Sequence, residues 1–349
     1  MTPIPTPRML PAGCDTDEPP SHLQVTYLKQ EELSSFLHSA PALEPMAVVA
    51  FGQPLPYNVP CPVLVPALPP IDAPSLVEVW FSNRKVRTSV NGGLSAAMNS
   101  EWLIGFISLE ERPGRSLESL TYDAYQEILL CLNGSGYPHL CRIWNYFPRI
   151  NEDQDGLERY RRFCIGRHRA LAQSLPGFPF SLPAATAVGT RSGPLQIMVL
   201  ASTKPAIHLG NPRQTNAYEY PPKYGPRSPS FARATLLQSE CDRILFIAGT
   251  ASVVGHASRH IGRPADQTHE SIRNVMAILQ KADSVCGADF LSASTRATYK
   301  VYVRHLDLLL DIRNALHESA LPSRSALFLQ GDLCRKELLM EIEGAIISQ

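Results

Sequence analysis

Residues 334–349 read CRKELLMEIEGAIISQ, and the fold turns on how this run is taken. It is apolar enough to be a strand, yet it carries Glu341 and Glu343 two residues apart. Side chains alternate across a strand, so the two carboxylates fall on one face together with Leu339. Either that face meets solvent, or one glutamate points into a site that needs an acid.

Upstream, the elements recur in a fixed order. ATYKVYVRHL and SALFLQGD read as strands that join the terminal one, with HLDLLLDIRNAL as a helix between them. THESIRNVMAILQKADS places Ile272, Val275, Met276 and Leu279 on one helical face, with Thr268 as its expected N-cap. PLQIMVLAS and DRILFIAGTASVVG are strands, the second broken at Gly249. The first half has the same rhythm. SLVEVWFSN alternates, VRTSVNGGLSAAMN holds an Asn-Gly hairpin signal, and WLIGFISLEE is a further strand. TYDAYQEILLCLNGSGYP is a helix ended by Gly-Ser-Gly, and HLCRIWNYFPRI a strand stopped by proline.

This pattern predicts an α/β (α+β) fold of two mixed-sheet-plus-helix halves, as an internal duplication would give. The Pro- and Gly-rich stretch SLPGFPFSLPAATAVGTRSGP is the expected boundary region. It sets one domain over 21–176 and another over 177–349, behind a Pro-rich lead-in at 1–20 expected to be flexible. A length of 349 residues suits two domains.

Composition narrows the function. Lys+Arg and Asp+Glu balance at 32 each, which argues against a nucleic-acid surface spread over the molecule. No apolar stretch reaches the length of a membrane helix, and the first twenty residues lack the layout of a secretory signal. The eight cysteines include no C-x-x-C pair, which suits a reducing cytoplasm better than a disulfide framework. His256 and His260 have metal-like spacing, but they sit in a glycine-containing loop with no third ligand nearby, so no metal site is expected. Neither a G-x-G-x-x-G, a Walker A nor a G-x-S-x-G motif is present.

Two regions could carry chemistry. ERYRRFCIGRHR holds five arginines, Arg159, Arg161, Arg162, Arg167 and Arg169, which read as a solvated helix face with one or two members turned inward to bind an anion. YEYPPKYGPRSPSFARATLL surrounds a rigid Gly-Pro turn with tyrosines and with Arg227 and Arg233, whose forked donors suit carboxylates. The same composition also suits a surface turn.

Taken in order, GPRSPSFARA, LFIAGTASVVG, QTHESIRNVMAIL and LLMEIEGA look like the successive signatures of the Rid (YjgF-like) superfamily, over roughly residues 215–349. RIWNYFPRIN, YRRFCIGR, YPPKYGPRSPSFARA and GTASVVGH, in a chain of this length, resemble the chorismatases. That resemblance implies cleavage of the enolpyruvyl ether of chorismate, with release of pyruvate and a dihydroxycyclohexadiene carboxylate or a hydroxybenzoate.

The family's cysteine seven residues before a glutamate is matched by Cys334 and Glu341, which implies Glu341 as the catalytic acid. Glu343 is then a polar neighbour toward the strand's end. Ala248 falls at a small position of the family's pocket and, with Cys334, is expected to influence the product. Two substrate carboxylates need cations, for which Arg233, Arg167 and Arg324 are the candidates, with Tyr218, Tyr220 and Tyr224 as hydrogen-bond partners. The sequence looks closest to the branch yielding both 3- and 4-hydroxybenzoate, as used in xanthomonadin-type aryl-polyene pigment and ubiquinone precursor supply. No cofactor is implied. Small Rid proteins form trimers, so a homotrimer is the expected assembly unless duplicated halves supply the neighbour's contacts within one chain.

The chemistry fits these residues on its own terms. Cleaving a vinyl ether begins with protonation of its methylene carbon, and a buried glutamate whose pKa rises from about 4.3 toward roughly 6–7 can supply that proton near neutrality. Two other readings stand beside it. One is a Rid-type imine or enamine deaminase, against which the long N-terminal half and Arg227 both speak; the other is a non-catalytic ligand-binding protein.

Overall fold

The terminal strand runs from Met340 to Ser348 and lies inside a six-stranded sheet, antiparallel to Arg243–Ala251 on one side and to Arg296–Val303 on the other. The computed structural model describes residues 23–39, 42–73, 75–238, 243–292, 295–319, 321 and 326–348. The lead-in at 1–20 lies outside them.

Two six-stranded sheets are built alike. Each opens with a three-stranded meander: Arg87–Asn91, Leu94–Met98 and Trp102–Leu109 in the middle sheet, and Ile207–Leu209, Ala234–Gln238 and Arg243–Ala251 in the C-terminal one. A helix follows, α2 (Leu117–Ser135) or α4 (Pro264–Cys286), and then a strand, His139–Pro148 or Arg296–Val303. After a second helix, α3 (Arg159–Ser174) or α5 (Leu309–His317), a strand parallel to the previous one forms the far edge, Ala184–Thr190 or Ala326–Gln330. The last strand, Leu195–Ser202 or Met340–Ser348, returns to the centre.

Residues 23–82 hold a shorter version with one helix, α1 (Gln30–Ser39). Its four strands run in the order Leu23–Lys29, Leu76–Ser82, Glu44–Ala50, Val63–Leu64, again with the last strand in chain order placed inside the sheet. The described residues therefore form three sheet-and-helix units of the expected α+β kind, where the sequence pattern predicts two halves. Leu195–Ser202, read from sequence as the first strand of a second half, is at the centre of the middle sheet. The sheets divide the chain near 83–86 and 203–206, and a boundary at 176/177 would cut the middle one. The stretch taken for a linker contains the edge strand Ala184–Thr190, whose small residues let it pass closely between two sheets.

Strand alternation explains the layering. In Leu76–Ser82, Val77, Val79 and Phe81 pack with Leu33 of α1, while Trp80 turns to the opposite face. The middle sheet packs α2 and α3 the same way, and the C-terminal sheet packs α4 and α5. The inner faces of all three sheets share one core, in which Trp80 meets Trp144 edge-on at 5.6 Å and Phe246 at 6.3 Å. Helix α4 starts a turn earlier than its expected cap. Pro264, with φ preset and no N–H to lose, takes the first position, and Thr268 lies inside the helix, donating to Pro264 O at 2.8 Å.

Candidate active site

Glu341 and Glu343 do share a face, and it is not solvent: they are 4% and 2% exposed. Glu343 is mid-strand rather than near its end, and its partners come from the middle sheet and from the neighbouring strand of its own sheet. Its carboxylate accepts from Arg142 at 2.8 Å and Trp144 Nε1 at 2.9 Å and is ion-paired with Lys300 at 2.9 Å. Lys300 also holds Glu78 at 2.9 Å, and Glu78 accepts from Trp80 Nε1 at 2.7 Å. The four charges of this buried quartet cancel. Burial pushes the Glu343 carboxyl up, but Lys300 and Arg142 outweigh it and hold it below the usual range.

The Glu341 carboxyl has neither ion pair nor hydrogen bond among the described residues. Burial first, and then the nearby Glu343 charge, push its carboxyl up to about 8, against the pull of Arg142, Arg233 and Arg304. Its place depends on a bulge in the neighbouring strand between Ile247 and Thr250. There Gly249 N–H donates to Thr186 Oγ1 at 2.9 Å, and a Cβ on Gly249 would overlap the Glu341 carboxylate. The break read at Gly249 is this close approach of backbone to acid.

Glu341 faces a cavity between the middle and C-terminal units. Tyr220 stands in it between two guanidinium groups. Arg233 Nη2 donates to the Tyr220 hydroxyl at 2.6 Å and to Thr215 O at 2.9 Å, while its buried Nε has no partner. Arg335 lies 5.3 Å from the Tyr220 ring centroid and 4.1 Å from that of Tyr224, and donates to Ser258 Oγ at 3.0 Å. Arg161, on α3, contributes a third cation to the lining. The turn carrying Cys334 and Arg335 is clamped by Arg304. Its five N–H groups meet the backbone oxygens of Leu333, Arg335 and Leu338 and the side chains of Asn151 and Asp332.

Of the residues singled out from sequence, Glu341, Arg233, Tyr220, Tyr224 and Cys334 meet at this cavity. Burial, with Glu341 adding to it, pushes the Cys334 thiol up to about 12, so it stays neutral and forms wall rather than nucleophile. Ala248 is not in the lining. It packs in the shared core, and Gly249 takes the wall instead. Tyr218 also lies outside the lining, half-buried beside Phe180. Arg167 is fully buried behind the wall, 4.9 Å from the Phe163 ring centroid, with Nε and Nη2 unpartnered. Arg324 lies outside the described residues.

Sequence reading missed Arg335, Arg142, Thr186 and Arg304, and named Arg161 only among five arginines of which one or two would turn inward. Arg335 alone carried a usable signal, as the neighbour of Cys334. The two histidines with metal-like spacing part company: His256 meets the Tyr224 hydroxyl at 3.1 Å, and His260 meets Glu270 and Arg263. Among the described residues no group of three or more side chains could hold a metal ion, and no helix is long and apolar enough to cross a membrane.

The model described as chorismatase FkbO/Hyg5-like, N-terminal, matches residues 78–201. A 3-hydroxybenzoate synthase of Streptomyces hygroscopicus is 34% identical over 285 residues, 79% of this chain and 82% of that one. A chorismatase from the same organism is 33% identical over 288 residues, 79% and 80% of the two chains. A crystal structure of a chorismatase superposes with a TM-score of 0.81 at 30% identity, over 93% of this chain and 98% of that one. The chain belongs to the chorismatase family.

Proposed function

We propose that this chain cleaves chorismate, with Glu341 donating a proton to the methylene carbon of the enolpyruvyl ether. The observation that carries this reading is a buried, unpartnered carboxyl, raised to about 8, facing a cavity lined by arginines and tyrosines. At pH 7 such a group is mostly protonated, so it can act as an acid where an ordinary glutamate cannot. Protonation of the methylene makes an oxocarbenium ion, which the new Glu341 carboxylate faces and stabilises. Water adds to that carbon and returns a proton to Glu341. The hemiketal then collapses to pyruvate and a ring alcohol, and loss of water from the ring gives a hydroxybenzoate.

Chorismate carries two carboxylates. Arg233 and Arg335, on either side of Tyr220, suit them, and Arg233 brings an unused buried N–H. Arg167, with two unpartnered buried N–H groups, is a third candidate. The products we propose are 3-hydroxybenzoate, 4-hydroxybenzoate or both, with supply of pigment or quinone precursors in the cytoplasm as the role. The name 3-hydroxybenzoate synthase, borne by a relative, supports the first product. Two units of one chain line the cavity, so its described walls need no neighbouring subunit, even if the chain forms the homotrimer the resemblance suggests.

Incubation of the purified protein with chorismate, with coupled detection of pyruvate and chromatography of the aromatic products, tests this. Pyruvate with a hydroxybenzoate is expected. Ammonia released from imines without pyruvate from chorismate would establish the deaminase reading instead, and neither activity would leave a binding protein.

A further inference from the structure

No member of the buried quartet is in the cavity lining, and removing charges from water is costly unless they are paired. Its placement has a chemical consequence. Glu78 comes from the N-terminal sheet, Arg142 from the middle one, and Lys300 and Glu343 from the C-terminal one. Arg142 is the member nearest the acid's surroundings. Its Nη2 donates both to Glu343 and to Thr186 Oγ1, and that same oxygen accepts from Gly249 N–H at the Glu341 carboxylate.

Groups from several elements surround Glu341. On its own strand is Glu343; on the paired strands are Tyr302 and the Gly249 bulge. The middle unit offers Arg142, Thr186 and, at the start of α3, Tyr160 and the ion pair of Arg161 with Glu158 at 3.4 Å. Ahead of strand Ala234–Gln238 is Arg233, bonded to Tyr220. The 332–338 turn offers Cys334, Arg335 and Glu337, of which Glu337 accepts from Ser258, and Arg304 is saturated by that turn. Of these cations Arg142 is held by Glu343 and Arg304 by the turn, while Arg233 is bonded to Tyr220 and Thr215 with its Nε left free.

We propose that Glu343 is a positioning residue for the acid: by holding Arg142 and Lys300 it denies Glu341 a counter-ion, and so keeps Glu341 protonated as a proton donor. This rests on the reading of Glu341 as the acid. With Glu343 neutral, the nearest carboxyl left to balance Arg142 is Glu341, which then ionises at lower pH and stops donating.

The test is the pH profile of pyruvate release by Glu343→Gln. Wild type should lose activity as pH rises through about 8, where Glu341 ionises. In the variant that limb should move down by about one pH unit or more, with a tenfold or greater loss at pH 8 and a much smaller one at pH 6. A uniform loss at every pH, with the limb unmoved, would overturn the proposal, because a merely structural residue would act that way.

If the variant does not fold, carboxyl carbon-13 titration of labelled wild type decides, with Glu341→Gln assigning the signal. Glu343 ionised throughout pH 5–9 with Glu341 titrating alone supports the proposal; one proton shared between the two sinks it. That titration needs no chorismate, so absent pyruvate release would count against the reading of the reaction and not against this one.

Discussion

The Tyr220 hydroxyl and the Arg233 guanidinium are 2.6 Å apart, and their bond ties the turn before Gly225 to the wall beside Glu341. Arg233→Ala should raise the KM for chorismate by about ten- to a hundredfold, the ~1.5–3 kcal/mol of a charged hydrogen bond, with a smaller change in kcat. Tyr220→Phe should have the same sign and a lesser size. Steady-state pyruvate assays check both, and equal loss in kcat alone would contradict a binding role.

Glu341→Gln should lower kcat by at least about a hundredfold, the usual scale for loss of a general acid. Circular dichroism should be unchanged. An undiminished rate would remove Glu341 from the reaction.

The same substitution has an opposite effect on stability. The folded-state value of Glu341, about 8, lies above the ordinary 4.5 of a glutamate, so the protonated form favours folding. That contribution is fully present below about pH 4.5 and is lost as pH rises through about 8. Glu341→Gln, which cannot ionise, should therefore melt higher than wild type at pH 8 and alike at pH 4.5. Melting curves of the two proteins at both pH values provide the comparison.

Gly249→Ala should impair both folding and chemistry, because its Cβ would occupy the space of the Glu341 carboxylate. The expected destabilisation is about 1–3 kcal/mol by denaturant titration, with activity falling further than the fraction unfolded explains.

Arg304→Lys leaves a charge but cannot reproduce four forked contacts with the 332–338 turn and a fifth with Asn151. Thermal stability and kcat should fall together, and protease cleavage at Arg335 or Lys336 should quicken. Unchanged proteolysis would show that the turn holds without the clamp.

Alternation alone was enough to put Glu341 and Glu343 on one face. What separates them was not legible locally, since Arg142 lies 201 positions from Glu343 and becomes its partner only through packing of two sheets. Helices and strands with strong periodicity, such as those ending at Gly136 and Pro148, could be read directly. The segment 174–194 was misread because its prolines and glycines look like a linker, whereas its small residues serve a tight passage between sheets. The unit at 23–82 was hidden by short strands in a proline-rich context. The acid and most of the cavity's tyrosines were found through resemblance, but the Gly249 wall and Arg335 needed coordinates.

Because the three units are links of one chain, they are free to differ. Trp80, Trp144 and Phe246 take part in a common interior, yet the charges beside them are shared out unequally: an anion from the first unit, a cation from the second, one of each from the third. Three identical copies about an axis would instead repeat each charge three times, crowding like against like. Broken symmetry is what lets the interior be neutral, and it leaves Glu341 as a single acid at one junction where a symmetric ring would carry three.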